Sequence, residues 1–133
     1  MLDENKKVIF LKNLNTENKK NFGEEIEKIL KKYRPEFTVI ESVFTKKNPK
    51  EAIKLGEYKG IITFLLEKKN LKYTDIFSSS WKKRVTGYGR AKSYQVEFML
   101  KKILNGKFKR KLSEHEIDAL GLAYYAFKRC FTE

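Results

Sequence analysis

The sequence predicts an α/β layer fold. Three observations carry this. Strand-like and helix-like segments alternate along the chain as β-α-β-α-β-α-α-α, the pattern of helices laid on a sheet. The hydrophobic fraction is 41% in 133 residues, enough for a core despite the high charge. Two prolines and seven glycines leave no room for repeats or linker-like composition. The length suits one domain, 1–133.

Each element has its own signal. Residues 8–14 (VIFLKNL) read as a short strand. A helix follows over about 17–33, because Phe22, Ile26, Ile29, Leu30 and Tyr33 form one apolar stripe, and Pro35 stops it. Residues 37–41 (FTVIE) are β-branched and begin just past that proline, so a strand is expected. Asn48 as N-cap, Pro49 at the first helical position and Glu51 at the third open a helix to about 69. That helix is apolar on more than one side, which predicts burial against a sheet and a second partner. Residues 71–76 suggest another strand. Ser80 is placed as the cap of a short helix to about 84, ahead of the Gly87-Tyr88-Gly89 turn. A helix over about 91–104 and a basic loop over 105–112 follow. Ser113-Glu114-His115-Glu116 is a capping box that opens a last helix to about 131.

The net charge of +13 is concentrated. Residues 82–111 hold 11 Lys and Arg and one acid, Glu97. Such a local field points to a polyanion, because neutralising phosphates releases counterions. The segment's apolar residues (Val96, Met99, Leu100, Ile103) form a core stripe and leave no wide face for lipid. No apolar run is long enough to span a membrane, and the start MLDENKKVIF is not a secretory signal, so a cytoplasmic protein without membrane attachment is expected. The single cysteine, Cys130, excludes an internal disulfide and a cysteine-based zinc site, and its place on the last helix predicts a packed thiol.

Candidate chemistry lies at element ends. Ligand sites in α/β folds gather at the carboxyl ends of strands, where Glu41 stands. His115 and Asp118 share one face near the start of the last helix. Carboxylates from a strand end and a helix suit Mg²⁺, which takes oxygen ligands and bridges to phosphate. The same residues also occur as ordinary strand-end and helix-start polar groups, and a single histidine is more often a surface group than a ligand. Phe44, beside Lys46 and Lys47, either stacks on an unpaired base or folds back on the core. The Gly87-Tyr88-Gly89-Arg90 turn, with Lys82, Lys83, Arg84 and Lys92 around it, has the makings of a phosphate cradle leading into a helix. Lys83, Arg84, Tyr88, Arg90 and Lys92 join Phe44, Lys46 and Lys47 as candidate DNA contacts.

Taken together, three stretches resemble the RuvC family of Holliday junction resolvases: RPEFTVIESVFTKKNPKEAIKLGEYKG (34–60), WKKRVTGYGRAKSYQVEFMLKKIL (81–104) and HEIDALGLAYYAF (115–127). They occur in family order and at family spacing across roughly residues 8–130. The resemblance implies an RNase H-like mixed sheet flanked by helices, a homodimer, and Mg²⁺-dependent nicking of opposed strands at a four-way DNA junction, with Mn²⁺ as a substitute ion. By position, Glu41, His115 and Asp118 match the catalytic metal side. Lys82 matches a basic residue near the scissile phosphate, and Phe44 the aromatic that stacks at the opened junction centre. The helix at 50–69 matches the dimer helix. A branch-migration helicase is a further implied partner.

Two departures qualify the match. A basic residue of the family near position 93 is Ser93 here, with Lys92 next to it; on a helix that neighbour is rotated by about 100°. The family's first strand, with its Asp-Pro-Gly and first catalytic Asp, has no counterpart before Met1, and Asp3 lacks that context. The expectation is therefore an N-terminally truncated domain whose metal binding and cleavage suffer while DNA binding survives. A non-catalytic junction-binding remnant and a structural RNA-binding protein are the alternatives.

Overall fold

The computed structural model describes residues 1–3, 11, 14, 16–42, 48–104 and 111–131. Most of the strand expected at 8–14, the loop carrying Phe44, Lys46 and Lys47, and most of the basic loop at 105–112 lie outside them. Contacts group the chain into two compact units, one of residues 14–75, the other of residues 1–13 with 76–133.

The first unit holds α1 (Lys19–Tyr33), β1 (Thr38–Glu41), α2 (Pro49–Lys68) and β2 (Tyr73–Ile76, its last residue counted with the other unit). The side chain of Asn18 caps α1 by accepting from the Asn21 N–H at 3.1 Å. The helix ends at Arg34, in the left-handed region at φ 40°, whose N–H still reaches the Leu30 carbonyl; Pro35 cannot continue it. Asn48 caps α2 in the same way, with Pro49 as its first residue. β1 and β2 pair, and the Thr38 N–H donates to the Lys72 carbonyl at 3.0 Å where they meet. Leu30, Leu65 and Leu66 form the core, with Ile26, Ile40, Ile61, Ile62, Leu71 and Tyr73 against them. Phe22 meets Tyr58 edge-on at 5.0 Å, joining α1 to α2. Lys19 and Glu57 add an ion pair between these helices, and the hydrogen bond from the lysine raises its pKa. The breadth read from α2 is visible: Leu65 and Leu66 are buried, while Ile53, Leu55 and Phe64 stay exposed.

Past β2, the described elements of the second unit are helices. It holds α3 (Ser78–Thr86), α4 (Ser93–Ile103) and α5 (Glu114–Phe131), each packed on the other two. Trp81, Val85, Val96, Leu100, Ile117 and Leu120 make its core. Between α3 and α5, Trp81 lies flush against Gly121. Ser113 and Glu116 form the predicted capping box: the Ser113 N–H donates to Glu116 Oε1 at 3.0 Å, and the Glu116 N–H donates to Ser113 Oγ at 3.2 Å. This exchange satisfies Glu116, the one buried acid among the described residues.

Three expectations need correction. Ser80 is not a cap. α3 begins at Ser78, because the Phe77 carbonyl accepts from the Ser80 and Trp81 N–H groups and the Trp81–Val85 pair draws the helix onto the core. Lys92 precedes α4 as its N-cap, with extended backbone, so a helical rotation does not separate it from Ser93. Cys130 is exposed; it sits six residues beyond Tyr124, off the stripe that α5 buries.

Candidate functional site

Glu41 is the last residue of β1, as expected, and is half-buried. His115 and Asp118 lie in the first turns of α5, the histidine exposed and the aspartate half-buried. Glu41 therefore belongs to the first unit, and the His115–Asp118 pair to the second. Among the described residues, no three His, Cys, Asp or Glu side chains gather as a group able to hold a metal ion. The candidate donors are two carboxylates and one imidazole. An oxygen-preferring ion such as Mg²⁺ finds in them only part of its ligand set. The described residues alone do not complete a metal centre.

The basic residues are better defined. Lys82, Lys83 and Arg84 occupy the C-terminal half of α3, where cations complement the helix dipole. Lys82 is half-buried, its Nζ 5.8 Å from the centroid of the Trp81 ring, so the fixed core aromatic steadies its position. Lys83 and Arg84 are exposed. Gly87 follows in the left-handed region at φ 84°, its N–H bonded to the Lys83 carbonyl at 2.8 Å. The Thr86 hydroxyl donates to the Lys82 carbonyl at 2.8 Å and accepts from the Tyr88 N–H at 3.0 Å, locking the turn. A Cβ on Gly89 would lie 3.0 Å from the Ser79 carbonyl oxygen. Both glycines thus have intramolecular reasons, and the turn's contribution to anion binding rests on its side chains. Arg90 and Lys92 are exposed between α3 and α4, and the Lys92 N–H is held by Gln95 Oε1 at 2.8 Å. Over residues 82–104 the second unit carries seven basic side chains against Glu97 alone.

Sequence reasoning passed over two residues of this surface. Tyr94 and Phe98 are 67% and 58% exposed on α4. Their i, i+4 spacing, on the side away from Val96 and Leu100, was the available signal.

The family model described as "Crossover junction endodeoxyribonuclease RuvC" matches residues 6–125. The chain belongs to the RuvC family. A relative of that name from Rickettsia typhi is 37% identical over 99 residues, covering 74% of this chain and 62% of the relative. Another, from Wolbachia sp. subsp. Brugia malayi, is 34% identical over 131 residues, covering 92% of this chain and 80% of its own. The chain thus spans about three-fifths of the Rickettsia relative's length. Among solved structures, that of Thermus thermophilus RuvC in complex with a Holliday junction substrate matches with a TM-score of 0.73 at 22% identity, over 91% of this chain and 73% of the other. A second Thermus thermophilus RuvC structure matches with a TM-score of 0.72 at 24% identity, over 90% of this chain and 74% of the other. This likeness shows the fold: the α/β, RNase H-like architecture of RuvC. No described helix is long and apolar enough to cross a membrane.

Proposed function

We propose that this protein is a cytoplasmic, RuvC-type structure-selective endonuclease that binds four-way DNA junctions and nicks opposed strands during recombination and repair. One observation carries the reading: the RuvC match runs from residue 6 to residue 125 and contains both the strand-end Glu41 and the basic α3–α4 surface. A structural RNA-binding role does not call for the strand-end carboxylate Glu41. Both compact units are read as parts of one nuclease domain, 1–133.

The chain's own residues divide the work. Lys83, Arg84, Tyr88, Arg90 and Lys92 bind backbone phosphates and set register, with Lys46 and Lys47 extending the track. Phe44 stacks on a base at the open junction centre. Lys82, steadied on Trp81, meets the charge that develops on the phosphate. Glu41, His115 and Asp118 are this chain's donors toward a divalent ion, Mg²⁺ with Mn²⁺ in its place. When bound, such an ion supplies Lewis-acid activation of water and phosphate. For a homodimer, α2 offers Ile53 and Phe64, both exposed and three turns apart on one face. A branch-migration helicase is the further partner proposed.

The test is incubation of a synthetic four-way junction with Mg²⁺, with strands resolved on a denaturing gel. Paired nicks at symmetric positions would support the resolvase reading. Glu41→Gln is expected to remove nicking and keep junction binding. Binding without nicks by the unsubstituted chain would leave the non-cutting reading, and preference for A-form RNA would leave the RNA-binding one.

A further inference from the structure

The second unit carries an aromatic groove of which the junction reading uses only Tyr88, at its edge. It lies between the end of α3 and α4, has a volume of about 440 Å³, and is lined by Tyr88, Tyr94, Phe98 and Met99 among others. The three aromatic side chains are each more than half exposed: 56%, 67% and 58%. Packing does not explain them, because α4 turns Val96 and Leu100 toward the core and leaves Tyr94 and Phe98 on the other side. Phe98 has no polar group to bring into water. Exposed aromatics grouped in one groove mark a binding surface.

Charge selects the occupant. None of the described residues lining the groove is acidic. Lys102 Nζ stands 4.4 Å from the Phe98 ring centroid, placing a cation at the rim. The one acid of the segment, Glu97, faces Lys101 at 3.9 Å. Arg90 and Lys92 are exposed in the link just before α4. Flat π-faces inside a cationic border suit a chain that alternates aromatic rings with negative charge.

We infer that this groove is a stacking site for unpaired nucleotides of single-stranded nucleic acid, with Tyr94 and Phe98 as the platforms and Tyr88 at the edge. The inference rests on the nucleic-acid reading of the basic segment, but on neither junction selectivity nor cleavage. It is separate from Phe44, whose stacking belongs to the junction centre.

The test uses the full chain and fluorescein-labelled oligothymidylate, read by anisotropy beside a fully paired linear duplex. Tyr94→Ala with Phe98→Ala is expected to weaken oligothymidylate binding about 10- to 100-fold, while duplex binding changes less than about twofold. Phe98→Leu keeps the apolar bulk and removes the π-face, so it is expected to show part of the same loss with an unchanged thermal melt. Phe98→Trp is expected to bind at least as well as the unsubstituted chain. Equal losses on single strand and duplex, no loss on the single strand, or displacement by polyglutamate as effective as by oligothymidylate would each overturn the inference. A chain that shows no junction preference, yet loses only single-strand affinity in these variants, would sink the resolvase reading and leave this one standing.

Discussion

Gly121→Ala is expected to destabilise the protein by about 2 kcal/mol. A Cβ at that position would lie 2.2 Å from Trp81 Cζ3 and 2.6 Å from Cε3. Carbon atoms do not approach so closely, and neither partner yields easily. The indole is rigid and fully buried, and the glycine is fixed in the middle of α5. Overpacking of this kind costs about 1–3 kcal/mol or more. Alanine recovers about 1 kcal/mol of helix propensity, which does not offset a contact this short. For a chain of this size the loss corresponds to a fall in Tm of about 8 °C. Gly56→Ala is the matched control, since nothing lies within 4 Å of its Cβ position in α2. There the same substitution is expected to stabilise by about 0.4–1 kcal/mol. Thermal or urea melts of the two variants check the pair. A Gly121→Ala protein as stable as the parent would mean that Trp81 and Gly121 are not in contact.

Salt is expected to have the second large effect. Each phosphate neutralised adds about −0.9 to the slope of log K against log salt. Full engagement of the seven basic residues of the α3–α4 surface predicts a loss of about 10³- to 10⁴-fold in junction affinity between 50 and 200 mM salt. Substituting Lys82, Lys83 and Arg84 together by glutamine is expected to reduce the slope by about 2–3. Lys83 and Arg84 are exposed, and Lys82 gives up only its contact with the Trp81 ring, so the melt should hold. A slope unchanged in the triple variant would move the DNA contact surface away from α3.

These outcomes separate what one-dimensional pattern carries from what it leaves out. Local chemistry was legible. Asn48-Pro49, Pro35 and the Ser113–Glu116 exchange set helix ends through bonds within a few residues, and the structure has those ends. Glu41 was readable as a strand end for the same reason. The start of α3 was not, because a backbone carbonyl of Phe77 supplies the first bonds and no side chain announces it. Tyr94 and Phe98 were missed for a different reason. An aromatic residue reads as core unless the buried stripe on its helix is already known, and here that stripe runs through Val96 and Leu100. Gly121 was unremarkable in sequence, since its role depends on Trp81, forty residues away. For the candidate metal residues, the element of each was readable from the pattern.

Junction selectivity is the most direct test of the central reading. The measurement is competition between a four-way junction and a linear duplex of the same arm sequence, at physiological salt with EDTA present so that binding alone is scored. A RuvC-type protein is expected to hold the junction at least about tenfold more tightly, a difference of about 1.4 kcal/mol. Equal affinity for the two DNAs would contradict the account.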